Sequence, residues 1–198
     1  MTLEETLAQI KPLDKNAMDV AAKRWDSIAK PLHSLGKMEK LVIQIAGITG
    51  NPDMKIQKRA LVPMCADNGV VEEGVTQTGQ EVTAIVAENF LSGDTSACVM
   101  SRQCGTKVIP VDIGMAVDTK VSKELKVAYG TANMTKGPAM TRAQAVQALE
   151  AGIEMVRRLK EEGYGLLATG EMGIGNTTTS SAVAVSYTHL TLPTTSRV

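Results

Sequence analysis

The apolar positions of this chain change period about a quarter of the way along. Over residues 14–30, Ala17, Met18, Ala21, Ala22, Trp25 and Ile28 recur at three and four residues. That is one stripe of an α-helix, and Asp14 stands where its N-cap belongs. Residues 3–10 read as a shorter helix. The pattern breaks at Lys30-Pro31-Leu32-His33-Ser34-Leu35-Gly36. Ser34 is placed to cap a third helix with the stripe Met38, Leu41, Val42, Ile45 and Ala46, closed by Gly47, Gly50 and Pro52. From Ala60 to Ala66 the chain is a short apolar run, a buried strand, although Pro63 would remove a ladder bond if that strand were central. Thr106 to Gly114 reads as a second strand, Leu125 to Tyr129 as a short one, and Leu166-Leu167-Ala168 as another. Helices separate them. One runs through Phe90, with Thr78 and Glu81 at capping-box spacing. One follows Asp94 as its cap, with Ala97, Cys98 and Ser101 inward. A long one carries Val146, Leu149, Ile153 and Val156 behind a second box, Thr141 and Gln144, and stops at Gly163. Strands alternating with helices predict a parallel sheet with crossovers on its faces.

Composition narrows the function classes. Lys+Arg and Asp+Glu are both 21, and aromatics make up 3% of 198 residues. A nucleic-acid surface would need a basic stripe with aromatics beside it, and an anionic membrane surface a basic patch. Cys65, Cys98 and Cys104 form no C-x-x-C pair and sit among apolar neighbours, so they read as reduced core thiols. The acidic N-terminus is not a signal peptide, and no apolar run approaches the ~20 residues of a membrane span. The expectation is a soluble, cytoplasmic protein. His33, alone in its loop, reads as a surface residue.

The chemistry concentrates in Gly163 to Ser181. Here the strand runs into a glycine-rich turn with Gly170, Gly173 and Gly175, and Asn176 and Thr177 offer capping oxygens to a helix through Ala182 and Ala184. Strand, glycine turn and helix N-terminus form a common phosphate cradle in α/β proteins. Glu171 sits inside it, and an acid beside a phosphate invites a chemical role. A second candidate is Asp67-Asn68-Gly69 at the carboxyl end of the first strand, where ligands sit in such sheets; Asp67 is also explained as a turn cap. Asp112, at the end of the second strand, reads as closing its turn.

The texture changes at Val185. Residues 185–194 are the translation of a common sequencing-library adapter, so the expectation is a native frame ending near Ala184 and a non-native tail over 185–198. His189 and Tyr187 receive no functional weight. Strands that would follow are then missing, and apolar surface is expected where they would pack.

Several long motifs occur in order before that point. They are K-P-L-H-S-L-G-K-M-E-K-L (30–41), A-D-N-G-V-V-E-E-G-V (66–75), Q-E-V-T (80–83), N-F-L-S-G (89–93), G-T-A-N-M-T-K-G-P-A-M-T (130–141) and T-G-E-M-G-I-G-N-T-T (169–178). Together they resemble the nicotinate-nucleotide–dimethylbenzimidazole phosphoribosyltransferase family over about residues 3–184, roughly the first half of a family member.

The resemblance implies an α/β fold with a doubly wound, mostly parallel sheet, Rossmann-like and three-layered. An N-terminal helical segment (1–50) precedes a partial phosphoribosyltransferase domain (51–184) whose C-terminal half is absent. It implies transfer of the phosphoribosyl group of nicotinate mononucleotide to 5,6-dimethylbenzimidazole, giving α-ribazole 5′-phosphate and nicotinate in cobalamin lower-ligand assembly. It implies a homodimeric parent and no cofactor or metal. Gly170, Met172, Gly173, Gly175, Asn176, Thr177 and Thr178 match the nucleotide-site segment, and Glu171 the acid facing the reacting centre. Thr78 and Val86 match positions beside the base pocket. Asp67 falls in the segment A-D-H-G, where Asn68 replaces the usual histidine. The family's general-base glutamate lies in the absent half, so Glu171 is a supporting group and this chain alone is expected to be inactive. The competing readings are a non-catalytic nucleotide-binding module and a structural or regulatory subunit.

Overall fold

A computed structural model describes residues 1–188. It divides into two compact units, Thr2–Gln57 and Lys58 onward, with Met1 grouped with the second.

The first unit is helical. Helix α1 (Leu3–Ala8) opens on a capping box between Thr2 and Glu5, a cap the periodicity alone did not point to. Helix α2 (Lys15–Ser27) is capped by Asp14, whose Oδ1 accepts from Ala17 N at 2.9 Å, as expected. Helix α3 (Lys37–Thr49) starts at Gly36, not at Ser34, because the chain enters it through φ 54°, which glycine tolerates. Helices α2 and α3 approach closely: a Cβ on Gly47 would lie 2.6 Å from Met18 Cγ. The loop before α3 is fixed by Glu39, which is 4% exposed. Its Oε1 accepts from Leu35 N at 3.1 Å and pairs with Lys30 Nζ at 2.8 Å. His33 is at the surface, with 80% of its side chain exposed.

The second unit is an α/β sheet. Strand β1 (Lys58–Ala66) is its centre. Strand β4 (Tyr164–Met172) pairs with β1 along one edge, from Lys58↔Tyr164 to Cys65↔Met172. Strands β2 (Lys107–Val108) and β3 (Val111–Gly114) take the other edge in succession, and every pairing is parallel. The single second strand expected over 106–114 is therefore broken, at Ile109-Pro110, because Pro110 has no N–H to continue the ladder. The same break accommodates Pro63. Leu61 O accepts from Ile109 N at 2.9 Å, so Leu61, Pro63 and Cys65 direct their backbone groups to that edge. The N–H that Pro63 lacks thus falls opposite the gap between β2 and β3.

Both faces of the sheet are covered. Ala60, Val62 and Met64 alternate onto one face, where they pack with Val111, Leu159, Met155 and Leu167. Cys65 points to the other, where it packs with Ala87, Met115, Val121, Phe90 and Met172. Helix α6 (Arg142–Glu161) covers the first face. It begins with the expected Thr141–Gln144 capping box, present in both directions. Helix α4 (Glu81–Ser92) covers the second, and α5 (Ser96–Gln103) leads into β2. Two expected caps are displaced. Helix α4 starts from Gln80 with no side-chain cap, so Thr78 and Glu81 form no box. Helix α5 is capped by Thr95, not Asp94, which instead accepts from Ser92 Oγ. Cys65 and Cys98 are buried as expected, but Cys104 is exposed, since it lies at the end of α5.

Residues 125–129 form no strand. Lys126 turns inward instead, its side chain 6% exposed, and reaches Asp112 Oδ2 at 3.0 Å and Asp118 Oδ1 at 3.3 Å. It also donates to the carbonyls of Met115 (3.1 Å) and Val117 (3.2 Å) and lies over the Tyr129 ring. The turn after β3 is organised around this ammonium. Helix α7 (Asn176–Thr188) continues past Ala184, so the backbone shows no break there. The rest of the expected tail, 189–198, lies outside the described residues. Among the described residues the outer edge of β4 has no strand partner, and Leu166 is 46% exposed.

Candidate active site

The candidate crevice lies at the carboxyl ends of the strands. From β1 the chain crosses to the β2/β3 edge; from β3 it returns through α6 to the opposite edge, at β4. The loops that leave the carboxyl ends of the neighbouring strands β1 and β4 therefore lie side by side, and ligands of open α/β sheets bind outside the carboxyl ends of the strands. The two loops that meet there are Asp67–Gly69 and Gly173–Gly175.

They meet closely because of glycine. Strand β4 runs to Met172, so Gly170, Glu171 and Met172 belong to the strand and only Gly173–Gly175 turn. Gly170 lies opposite Pro63, not in the loop as the spacing suggested. A Cβ on Gly173 would sit 2.1 Å from Ala66 O, so the end of β4 can lie against the end of β1 only with glycine there. Gly175, at φ 85°, turns the chain into α7.

Side chains then bind the two loops together. Asn68 Nδ2 donates to Ile174 O at 3.0 Å, and Asn68 Oδ1 accepts from Thr179 Oγ1 at 3.0 Å. Gln80 Nε2 donates to Asn68 O, and Thr83, fully buried in α4, accepts from Ile174 N at 3.0 Å. Sequence reasoning put Asn68 in the candidate stretch 67–69 without a role of its own, and did not single out Gln80, Thr83 or Thr179. The motif Q-E-V-T at the start of α4 was the available signal: two polar residues one helical turn apart on a helix that otherwise faces apolar core.

The expected site residues fall into groups. Glu171 is exposed at the end of β4, and its Oε1 accepts from Asn176 Nδ2 at 2.6 Å. Asn176 is the first residue of α7; its amide serves Glu171 and Thr177 instead of capping the helix. Thr177 is exposed and Thr178 half-buried on that first turn. Two amides of the loop are occupied: Ile174 N by Thr83, and Asn176 N by Gly173 O at 3.1 Å. An anion here would rely on the remaining groups of the turn and on hydroxyls. Met172 packs into the core beneath α4. Val86 is half-buried on α4, and Thr78 is exposed in the loop before it, its carbonyl accepting from Thr76 Oγ1. Asp67 is 1% exposed and turned inward: Oδ2 accepts from Ala116 N at 2.7 Å, and Oδ1 has no partner among the described residues. It ties the first loop to the segment after β3.

The carboxyl end of the sheet is acidic. Burial, with Asp112, Glu171 and Asp67 nearby, pushes the Cys65 thiol up to about 12. Lys126 balances Asp112. Glu171 is thus the carboxylate left at the surface of the crevice, placed to accept from a hydroxyl or to oppose positive charge. Among the described residues no group of three or more His, Cys, Asp or Glu could hold a metal ion. No helix among them is long and apolar enough to cross a membrane.

The nicotinate-nucleotide–dimethylbenzimidazole phosphoribosyltransferase of Clostridium tetani is 51% identical over 183 residues, which cover 91% of this chain and 51% of that protein. The enzyme of the same name from Ruminiclostridium cellulolyticum is 50% identical over 186 residues, 93% of this chain and 53% of that one. The crystal structure of CobT from Thermus thermophilus superposes with a TM-score of 0.80 at 37% identity, covering 88% of this chain and 54% of that one. The chain spans about half the length of the relatives it matches. Residues 10–196 match the family described as phosphoribosyltransferase, and the chain, whose parallel sheet carries the T-G-E-M-G-I-G-N-T-T segment at the end of β4, belongs to that family.

Proposed function

We propose that this chain carries the nucleotide-site half of an enzyme that moves the phosphoribosyl group of nicotinate mononucleotide to 5,6-dimethylbenzimidazole, yielding α-ribazole 5′-phosphate and nicotinate. The observation that carries the reading is Glu171 at the paired carboxyl ends of β1 and β4, held by Asn176 beside the glycine turn. In such a transfer the pyridinium of the substrate is already a good leaving group. The protein must align the two partners and stabilise positive charge on the ribose. Glu171 is placed to oppose that charge. The first turn of α7, with Thr177 and Thr178, supplies hydroxyls for phosphate or ribose. Thr78 and Val86 would flank the incoming base. The group that takes the proton from the base belongs to the half of the relatives that this chain does not span, and the full-length parent is a homodimer in this reading. The isolated chain then binds nucleotide without turning it over.

The test is product formation. A chain extended to the full length of its relatives should form α-ribazole 5′-phosphate from the two substrates, and Glu171→Gln should lower kcat by about 10²-fold or more. Residues 1–198 alone should form none. Absence of product from the extended, folded protein would refute the reading.

A further inference from the structure

We propose that Asn68 is the positioning residue of the crevice. Its side-chain amide, used at both ends, fixes the 173–179 segment against β1 and so sets where Asn176 and Glu171 stand. The proposal rests on reading the crevice as the nucleotide site.

Asn68 begins as an ordinary turn signal, an Asn before a Gly. The backbone argues otherwise. Its φ of −112° and ψ of 116° are extended, so the residue is not there for left-handed geometry. The chain beside it is held from the opposite side. Gly69 N donates to Thr131 Oγ1 at 3.1 Å, and a Cβ on Gly69 would lie 2.5 Å from the backbone of Ala132. With the backbone pinned there, the Asn68 side chain extends into the space between the two glycines of the other loop. Cβ atoms on Gly173 and Gly175 would meet Asn68 Nδ2 at 2.9 Å and Asn68 Cβ at 3.4 Å. The glycines thus admit this side chain as well as the close approach of the strands.

The amide is used at both ends. Ile174 O can only accept, so the nitrogen faces it, at 3.0 Å, and the oxygen faces the Thr179 hydroxyl, also at 3.0 Å. Thr179 Oγ1 lies 2.9 Å from Asn176 O, and Asn176 Nδ2 is bonded to Glu171. The contacts thus form a path of polar neighbours, Asn68, Thr179, Asn176, Glu171, along which the one Thr179 proton is shared between Asn68 Oδ1 and Asn176 O. Gln80 fixes the start of this path by donating to Asn68 O at 3.0 Å. Such a junction needs one donor and one acceptor on the same short side chain. Aspartate has no donor and would set its carboxylate against Ile174 O. Leucine, of similar shape, offers neither. A neutral imidazole offers one N–H and one lone pair, and can serve both ends.

The experiment is backbone amide hydrogen exchange on the unliganded 198-residue chain, in Asn68→Leu, Asn68→Asp and Asn68→His, with Thr179→Val as the mild variant that removes the hydroxyl facing Asn68 Oδ1 and Asn176 O and keeps the Asn68 bond to Ile174 O. Asn68→Leu and Asn68→Asp should speed exchange at Ile174 and through Thr179 by about tenfold or more, the equivalent of one lost buried hydrogen bond. Helix α6 should keep its protection. Asn68→His should stay within about threefold of the original, and Thr179→Val should fall between. Equal exchange at 174–179 in all variants would overturn the proposal. So would faster exchange spread evenly over the sheet, or a histidine variant no better than leucine, since each marks a merely structural residue. If Asn68→Leu does not fold, Thr179→Val and Asn68→His decide. The readout needs no nucleotide, so its failure is separate from failure to form product.

Discussion

Gly173→Ala and Gly152→Ala are the same chemical change with opposite expected signs. At Gly173 the added Cβ would sit 2.1 Å from Ala66 O. A carbon and a carbonyl oxygen rest at about 3.3 Å, so the two must part by roughly 1 Å. Neither can rotate away, because the obstacle is backbone at the end of the central strand. The end of β4 must therefore lift from β1, straining the Ile174 contacts to Asn68 and Thr83. Overpacking costs about 1–3 kcal/mol, and a backbone obstacle belongs at the upper end. A loss of about 3 kcal/mol lowers Tm by roughly 6–12 °C in a chain of this size. At Gly152, inside α6, a Cβ meets nothing within 4 Å and φ is not positive. There alanine removes backbone freedom from the unfolded chain and should stabilise by about 0.5–1 kcal/mol. Urea unfolding followed by far-ultraviolet circular dichroism measures both. The reasoning fails if Gly173→Ala lies within about 0.5 kcal/mol of the original, or if Gly152→Ala is the more damaging.

Two further outcomes follow from the charged side chains. Lys126→Met leaves Asp112, which is 0% exposed, without its cation, and should cost about 3–5 kcal/mol by urea unfolding; adding Asp112→Asn should recover part of it, and strict additivity would contradict the pairing. Asp118 is held down from 3.8 to about 2, first by Lys123 and then by Tyr129, with Lys126 adding to them. Its folded value lies below its unfolded one, so its contribution is complete above pH 3.8 and is lost as pH falls towards 2. Glu154 is drawn down to about 2 by Arg157 and Arg158 and acts in the same direction. Asp118→Asn should therefore flatten part of the acid limb of stability between those values, leaving the Glu154 part; an unchanged limb would remove Asp118 from the account.

The order of strands and helices was legible in the sequence because each carries its own period. The central strand, the α2 stripe with Asp14 and the Thr141–Gln144 box all follow local rules. Errors came where a neighbour decided the outcome. Pro110 breaks a strand whose apolar run looks continuous, and it is the same gap that lets Pro63 stand in the centre of the sheet. Lys126 sits in a run, Leu125 to Tyr129, that alternates like a strand, yet Asp112 and Asp118 draw its ammonium inward. Thr78 has box spacing with Glu81, but the chain reaches α4 through Gln80, whose side chain is committed to Asn68. In the candidate site, the loop sequence pointed to the turn at Gly173 and Gly175 and to Glu171 beside it, but it put Gly170 in the loop and gave Asn176 a capping role that its side chain does not take. It could not announce Thr83 or Thr179, because their partners lie 91 and 111 residues away. Asp67 was visible as an acid at a strand end; its inward turn depends on Ala116, beyond any local pattern.

The most direct test of the central claim is calorimetric titration of nicotinate mononucleotide into the 198-residue chain and into its Glu171→Gln variant. The variant keeps a hydrogen-bonding side chain beside Asn176 and removes only the charge. The account predicts saturable binding at one site per chain, weakened by about tenfold or more in the variant, as expected when a charge-assisted contact becomes a neutral one. No binding to the folded chain, or equal binding to both proteins, would contradict it.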